Sequence, residues 1–367
     1  MIGYGREHTC EHGEPWGDCS HGCALPSWTP VNLASIVDGE ADPLTATVGR
    51  RLDGAGVLYP GRVHSVAAES EAGKTWFGLS IAVTELERGN GVVVLDFEDS
   101  AFGVVGRLIA LKVHPTVLLD QFAYIAPTDP IGAGGNRDVL GQVLRDLRPT
   151  VVLLDGVTEA MTLHGLDLRD NVDVARFGRL LPRAIATTGP AVLLNDHVVK
   201  DPDGRGRYAI GGVHKLNGVD GAAYVLTNRQ PFGIGVTGRS TVHLAKDRPG
   251  HLRQFGVRSG DGMTMFADLV VESYNETSAV AYLNAPKAAA GPWRPTILMA
   301  RISARLATAG EPLSQRDILS RVEGKSDVIR QAIAALQDGG YIAIKDGKRG
   351  SKLHHFIKSF EDDDAPV

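Results

Sequence analysis

Between a short β-branched run, Arg62–Ala67, and a helical stretch, Lys74–Arg88, stands the octapeptide Ala68-Glu-Ser-Glu-Ala-Gly73-Lys74-Thr75. A strand that turns through small residues into a helix leaves backbone N–H groups pointing into the turn, and the helix N-terminus adds partial positive charge. The spacing is that of a phosphate-binding P-loop. It assigns Lys74 to the β- and γ-phosphates of a nucleotide and the Thr75 hydroxyl to Mg²⁺. Ala68, Glu69, Ser70, Glu71, Ala72 and Gly73 form the cradle, with Trp76 next along the helix. Ala68 departs from the glycine usual at that position, which tightens the loop but removes neither the lysine nor the hydroxyl. The alternative is a chance match in a chain with 44 glycines; a strand before and a helix after argue against it.

Such a loop needs an α/β fold, and the pattern supplies one. Val92–Phe97, Phe122–Ala126, Val151–Asp155 and Ala191–Asn195 read as further buried parallel strands. Helical stretches at Ala101–Val113, Arg137–Leu147 and Val172–Thr187 separate them, which gives a sheet with right-handed crossovers. A more antiparallel, β-rich run follows from Ala222 to about Phe266. The expected organisation is a Cys/His-rich segment (1–25), a polar lead-in (26–60), the nucleotide-binding core (61–272), a linker (273–292), a small domain (293–360) and an acidic tail (361–367). No run of eighteen apolar residues and no signal-peptide core is present, so the expectation is a cytoplasmic protein without a membrane partner.

Two strand ends carry carboxylates. Val151-Val-Leu-Leu-Asp155 puts Asp155 at the carboxyl end of a strand, where open α/β sheets bind ligands, and there it can hold Mg²⁺ together with Thr75. Val92-Val-Val-Leu-Asp-Phe-Glu98-Asp99 ends in Glu98, with Asp96 and Asp99 as competing candidates for an activating base.

The run from Gly61 to Gly250 resembles the RecA-like ATPases of the RepA and DnaB type, most of all a group found in actinobacterial phages and mobile elements. The matching segments are Asp155-Gly-Val-Thr-Glu, Asp196-His-Val-Val-Lys200, Gly204-Arg-Gly-Arg-Tyr-Ala-Ile-Gly and Leu244-Ala-Lys246-Asp-Arg248-Pro-Gly250. That resemblance implies a RecA-like core that hydrolyses ATP with Mg²⁺. It gives Glu98 the role of water-activating carboxylate and His197 that of a γ-phosphate sensor. It also implies that Lys246 and Arg248 reach the nucleotide bound by a neighbouring subunit, so that active sites lie between protomers of a ring, a hexamer in the first instance, or of a filament.

The same resemblance places a channel-facing loop after the strand that carries His197. The segment Lys200–Gly218 is Gly-rich and basic, with Lys200, Arg205, Arg207 and Lys215, and repeated around a ring it would track single-stranded DNA. Residues 293–360 read as three helices and a two-stranded wing, a winged helix-turn-helix. They carry 12 Lys and Arg against 6 Asp and Glu in a chain of net charge −5. Lys325 and Arg330 on the recognition helix and Lys345, Lys348, Arg349 and Lys352 on the wing suit duplex DNA, although winged helices also bind proteins. Near the start, Cys10, Cys19 and Cys23 with His12 offer a Cys₃His donor set for Zn²⁺. Their spacing departs from paired Cys-x-x-Cys, and a segment with free thiols is the alternative.

The reading as a whole is an ATP-driven, helicase-like motor on DNA in phage or mobile-element replication. A recombinase or loader that assembles on DNA without unwinding it, and a regulator whose DNA binding is gated by ATP, are the alternatives.

Overall fold

The computed structural model of the chain describes residues 33–197, 218–259, 262–286, 296–324, 326–347 and 352–360, together with His12, Trp28, Pro30 and Val31. Residues 1–45 form one unit, in which the described structure is a four-residue helix, α1 (Ala34–Val37), with every residue exposed. Residues 46–367 form the other.

At the centre of the second unit lies a ten-stranded sheet. Its parallel half consists of β3 (Val63–Ala68), β4 (Gly91–Asp96), β5 (Phe122–Ile125), β6 (Pro149–Asp155) and β7 (Ala191–His197), in the order β3-β7-β6-β4-β5. Val92–Leu95, Val151–Leu154 and Ala191–Leu193 are apolar without alternation because helices cover both faces of these strands. One face packs on α2 (Lys74–Glu87), α3 (Ala101–Ala110) and α4 (Pro115–Gln121). The other packs on α5 (Asn136–Leu147), α6 (Val157–Leu163), α7 (Asn171–Leu180) and α8 (Pro182–Ala186). Beyond β3, strand β8 (Ala222–Gln230) is still parallel to it. Then β9 (Thr237–Asp247), β10 (Val257–Arg258), β11 (Thr264–Asn275) and β12 (Ser278–Asn284) add on antiparallel.

Helix α2 is buried nearly all round, from Phe77 to Leu86. The reason is a two-stranded ribbon, β1 (Val48–Arg50) and β2 (Gly56–Leu58), whose apolar residues join the same core as α2. Residues 46–58, expected to be a polar lead-in, are therefore part of the nucleotide-binding core. Glu85 on α2 is 1% exposed and is satisfied by four donors: Gly49 N at 2.9 Å, Arg88 at 2.8 Å, Asn90 at 2.7 Å and Thr150 Oγ1 at 2.7 Å. Four donors are what a buried carboxylate needs.

Other departures from the sequence reading have local causes. The helix expected over 101–113 ends at Ala110, with Lys112 at φ +69°, and α4 restarts at Pro115. The helix expected over 172–187 breaks at Leu181, because Pro182 has no N–H to continue it and instead opens α8. The first half of the supposed linker is largely strand. β11 runs on to Asn275 and β12 pairs with it as far as Asn284; residues 287–295 lie outside the described residues.

After that come α9 (Thr296–Thr308), α10 (Gln315–Arg321) and α11 (Ser326–Asp338), with a sheet of three strands rather than two: β13 (Leu313–Ser314), β15 (Lys352–Phe356) and β14 (Ile342–Asp346). They share a separate apolar core built from Met299, Ile302, Leu306, Ile318, Ile329, Ile333, Leu336 and Ile342. The short β13 was not legible because it is two residues long and its second residue, Ser314, is also the N-cap of α10. There Ser314 and Asp317 exchange hydrogen bonds in a capping box.

Candidate active site

The P-loop leaves β3 at Ala68 and enters α2 at Lys74. Two of its residues adopt left-handed backbone, Glu71 at φ +61° and Gly73 at φ +90°. A side chain at Gly73 would be strained by φ alone, and its Cβ would come within 2.7 Å of the Phe232 ring. Lys74 Nζ donates to the loop carbonyls of Ala68 (3.2 Å) and Glu69 (3.0 Å), across the mouth of the turn. Burial holds Lys74 below the usual lysine range, against the pull of Asp155, Glu98 and Asp196.

Register explains which groups meet here. Ala68 lies beside His197, and Asp96 lies beside Asp155, so the ends of β3, β7, β6 and β4 form one row at the carboxyl edge of the sheet. Only the main chain of His197 is described. Thr75 Oγ1 donates to Asp155 Oδ2 at 3.0 Å, and Asn195 also hydrogen-bonds Asp155. Burial nevertheless raises the Asp155 carboxyl above its usual value. An alcohol oxygen beside a carboxylate oxygen is a hard donor set that suits Mg²⁺, and these two would hold it.

Of the three acidic candidates after β4, two are occupied. Asp96 Oδ1 accepts from Glu98 N and Asp99 N, both at 2.9 Å. Asp99 is paired with Arg107 at 2.7 Å, which with Ser100 holds its carboxyl below the usual range. Glu98 faces the cleft. Partial burial, a hydrogen bond that the protonated Glu98 carboxyl donates to Glu159, and the charges of Glu159 and Asp155 push its carboxyl up to about 7, with Lys74 opposing. Gly156, at φ +86°, makes room for this: a Cβ there would stand 2.7 Å from Glu98 Cγ.

Lys74, Thr75, Glu98 and Asp155 line a single cleft of about 690 Å³, together with Trp76, Phe102 and Arg107 and with Phe232–Ile234 from the far side. Such a volume suits a nucleotide. Residues 30–203 match the family model described as an AAA domain. This segment is a P-loop ATPase domain of the RecA-like type, and that type binds ATP, usually with Mg²⁺. No curated protein matches the chain.

Beyond the ATPase cleft, the other expected site residues are scattered. Lys246 pairs with Ala223 and Asp247 with Ala222, and Ala223 lies beside Ser65 near the start of β3. Lys246 and Arg248 thus sit toward the opposite edge of the sheet from their own P-loop. Lys200, Arg205, Arg207 and Lys215 lie outside the described residues, as do Cys10, Cys19, Cys23, Lys325, Lys348 and Arg349. Among the described residues, His12 included, no three His, Cys, Asp or Glu side chains are arranged to hold a metal. Arg330 on α11 and Lys345 on β14 are exposed, and Lys352 pairs with Asp346 at 2.7 Å.

Sequence reasoning gave no role to Glu159, which bonds Glu98, to Asn195, which bonds Asp155, or to Phe232 in the cleft wall. Glu159 had a signal, since it follows Asp155 by four residues in a segment already singled out. Phe232 had none, because it arrives from the β8–β9 connection, over 150 residues away.

Proposed function

We propose that the chain is an ATP-hydrolysing, DNA-dependent motor that works as a ring, in the first instance a hexamer, on single-stranded DNA in phage or mobile-element replication. In this reading the P-loop amides and Lys74 bind the β- and γ-phosphates, Thr75 and Asp155 hold Mg²⁺, and Glu98 takes a proton from the attacking water. His197, at the end of the strand beside the P-loop, would contact the γ-phosphate. Lys246 and Arg248 would complete the site of the next subunit, and the basic segment 200–218 would line the channel.

The observation that carries the reading is a division of charge. Every group needed to bind ATP and activate water is gathered in the chain's own cleft, while the cation pair of the matching Lys-x-Arg segment stands toward the other edge of the sheet. Such a pair cannot serve its own nucleotide; Arg248 is exposed, while Lys246 is half-buried with Nζ on the Val219 carbonyl of its own chain.

Hydrolysis of ATP with and without single-stranded DNA, followed by displacement of a labelled strand from a forked duplex, tests this. The expected result is turnover stimulated by DNA together with displacement. Stimulated turnover with filaments and no displacement would replace the motor with a loader or recombinase. Indifference to DNA would remove both.

A further inference from the structure

Asp247 lies between the two cations, and its surroundings differ from theirs. In extended chain alternate residues face opposite ways, so Lys246 and Arg248 share one side and Asp247 takes the other. There its carboxylate is saturated. Tyr59 OH donates to Oδ1 at 2.7 Å and Gly250 N at 3.0 Å, while Leu252 N and Arg253 N reach Oδ2 at 2.9 and 3.2 Å. The Tyr59 hydroxyl, whose ring is fully buried, in turn accepts from His251 N and Leu252 N, both at 3.1 Å. Tyr59 is fixed from behind by His64, which stacks on it and whose Nε2 accepts from Tyr59 N at 2.9 Å. Burial pushes His64 down to about 4, so it is neutral and Nε2 is free to accept.

The strand is also irregular at this point. Ala223 faces Lys246 but Tyr224 faces Leu244, so Ala245 is a bulge that re-aims everything after it. Past the bulge the main chain is held again by Arg248 N donating to Gly221 O at 3.0 Å, and the Lys246 side chain is placed by Nζ donating to Val219 O at 2.7 Å.

We infer that Asp247 and Tyr59 are positioning residues: by binding the 247–253 turn they fix the direction in which Lys246 and Arg248 are offered to a neighbouring copy of this chain. Neither touches nucleotide; both act through the cation pair. The inference rests on the trans-acting reading above. Six hydrogen bonds converge on Asp247 and Tyr59, one of them buried, three half-buried and two exposed, and together they hold the turn in one conformation; a loosened turn displaces the guanidinium from a transition state that tolerates little error. A displacement of about 1 Å costs on the order of a hundredfold in rate.

The test is the steady-state ATPase of Asp247→Asn and Tyr59→Phe with single-stranded DNA present, alone and mixed with Lys74→Ala. Subunit exchange is verified with tagged protein, and Arg248→Ala plus Lys74→Ala serves as reference. Asp247→Asn should lose on the order of a hundredfold in kcat with KM for ATP unchanged. It should regain activity on mixing, because its P-loop is intact and the Lys74→Ala neighbour brings a well-placed arginine. Tyr59→Phe, which keeps the ring, should show the same signature with a smaller loss, and it carries the test should Asp247→Asn not fold. Parent turnover in both variants, or a loss that raises KM and is not repaired by mixing, overturns the inference while rescue in the reference pair leaves the trans-acting reading standing. Silence of the reference pair in demonstrated mixed oligomers removes that reading, and this inference with it.

Discussion

Glu98 and Glu159 are joined by a hydrogen bond between their carboxyl groups, and they meet over Gly156, the one residue of the Asp155–Glu159 turn with no side chain to keep them apart. The proposed base is thereby tied to a second carboxyl group that helps to raise its proton affinity toward neutrality.

Glu98→Gln should retain nucleotide and lose turnover. The amide fills the same space but cannot accept a proton from water, so the loss falls on kcat, by about 10²–10⁴-fold. Binding of a fluorescent ATP analogue beside phosphate release checks it; parent-rate hydrolysis would move the base elsewhere.

The pH profile follows from the same pair. As the proposed base Glu98 would work only when ionised, and its carboxyl is raised to about 7, so kcat/KM should fall as pH drops through about 7. Since Glu159 is among the causes of the rise, Glu159→Gln should move that acid limb to lower pH. A limb that stays in place in Glu159→Gln would show that the two carboxyls are independent.

Gly73→Ala should be damaging beyond its size. It forces a side chain into left-handed backbone, at about 1–3 kcal/mol, and puts a methyl 2.7 Å from the Phe232 ring. Adding Phe232→Ala should relieve the contact but not the dihedral. Thermal melts and ATP affinity should therefore recover in part in the double variant; full recovery would mean that φ costs nothing.

Removing residues 292–367 should leave the ATPase domain folded, because the sheet closes at Asn284 and the C-terminal helices bury a core of their own. Duplex DNA affinity should weaken, as Arg330, Lys345 and the other cations of that segment leave with it. Filter binding at fixed salt reads this, and unchanged duplex affinity would assign the segment to protein contacts.

How much of this was legible depended on whether the signal was local. Strands β3, β4, β6 and β7 were readable because a sheet covered on both faces needs uninterrupted apolar runs, and the P-loop because its chemistry is contiguous. The ribbon β1–β2 was not, since three-residue strands carry no period and their place is set by Glu85, over 25 residues away. β12 was hidden by the Ala- and Pro-rich chain just after it. At the site, Lys74, Thr75, Asp155 and Glu98 were each singled out near a strand end or helix start, and the structure gathers them in one cleft. Phe232 reaches its position from the β8–β9 connection, and Tyr59 leaves the ribbon to meet Asp247 at the end of β9, 188 residues on; no spacing in the sequence announces either.

The buried carboxylate of Glu85 has a mechanical consequence. Helix α2 is about 21 Å long and carries phosphate-binding groups at one end. At the other, Glu85 is tied to Gly49 of the ribbon and to Thr150 at the start of β6. A push on Lys74 and Thr75 when the γ-phosphate leaves is therefore met by a braced strut, not a hinge. The recoil is shared between β6 and the ribbon.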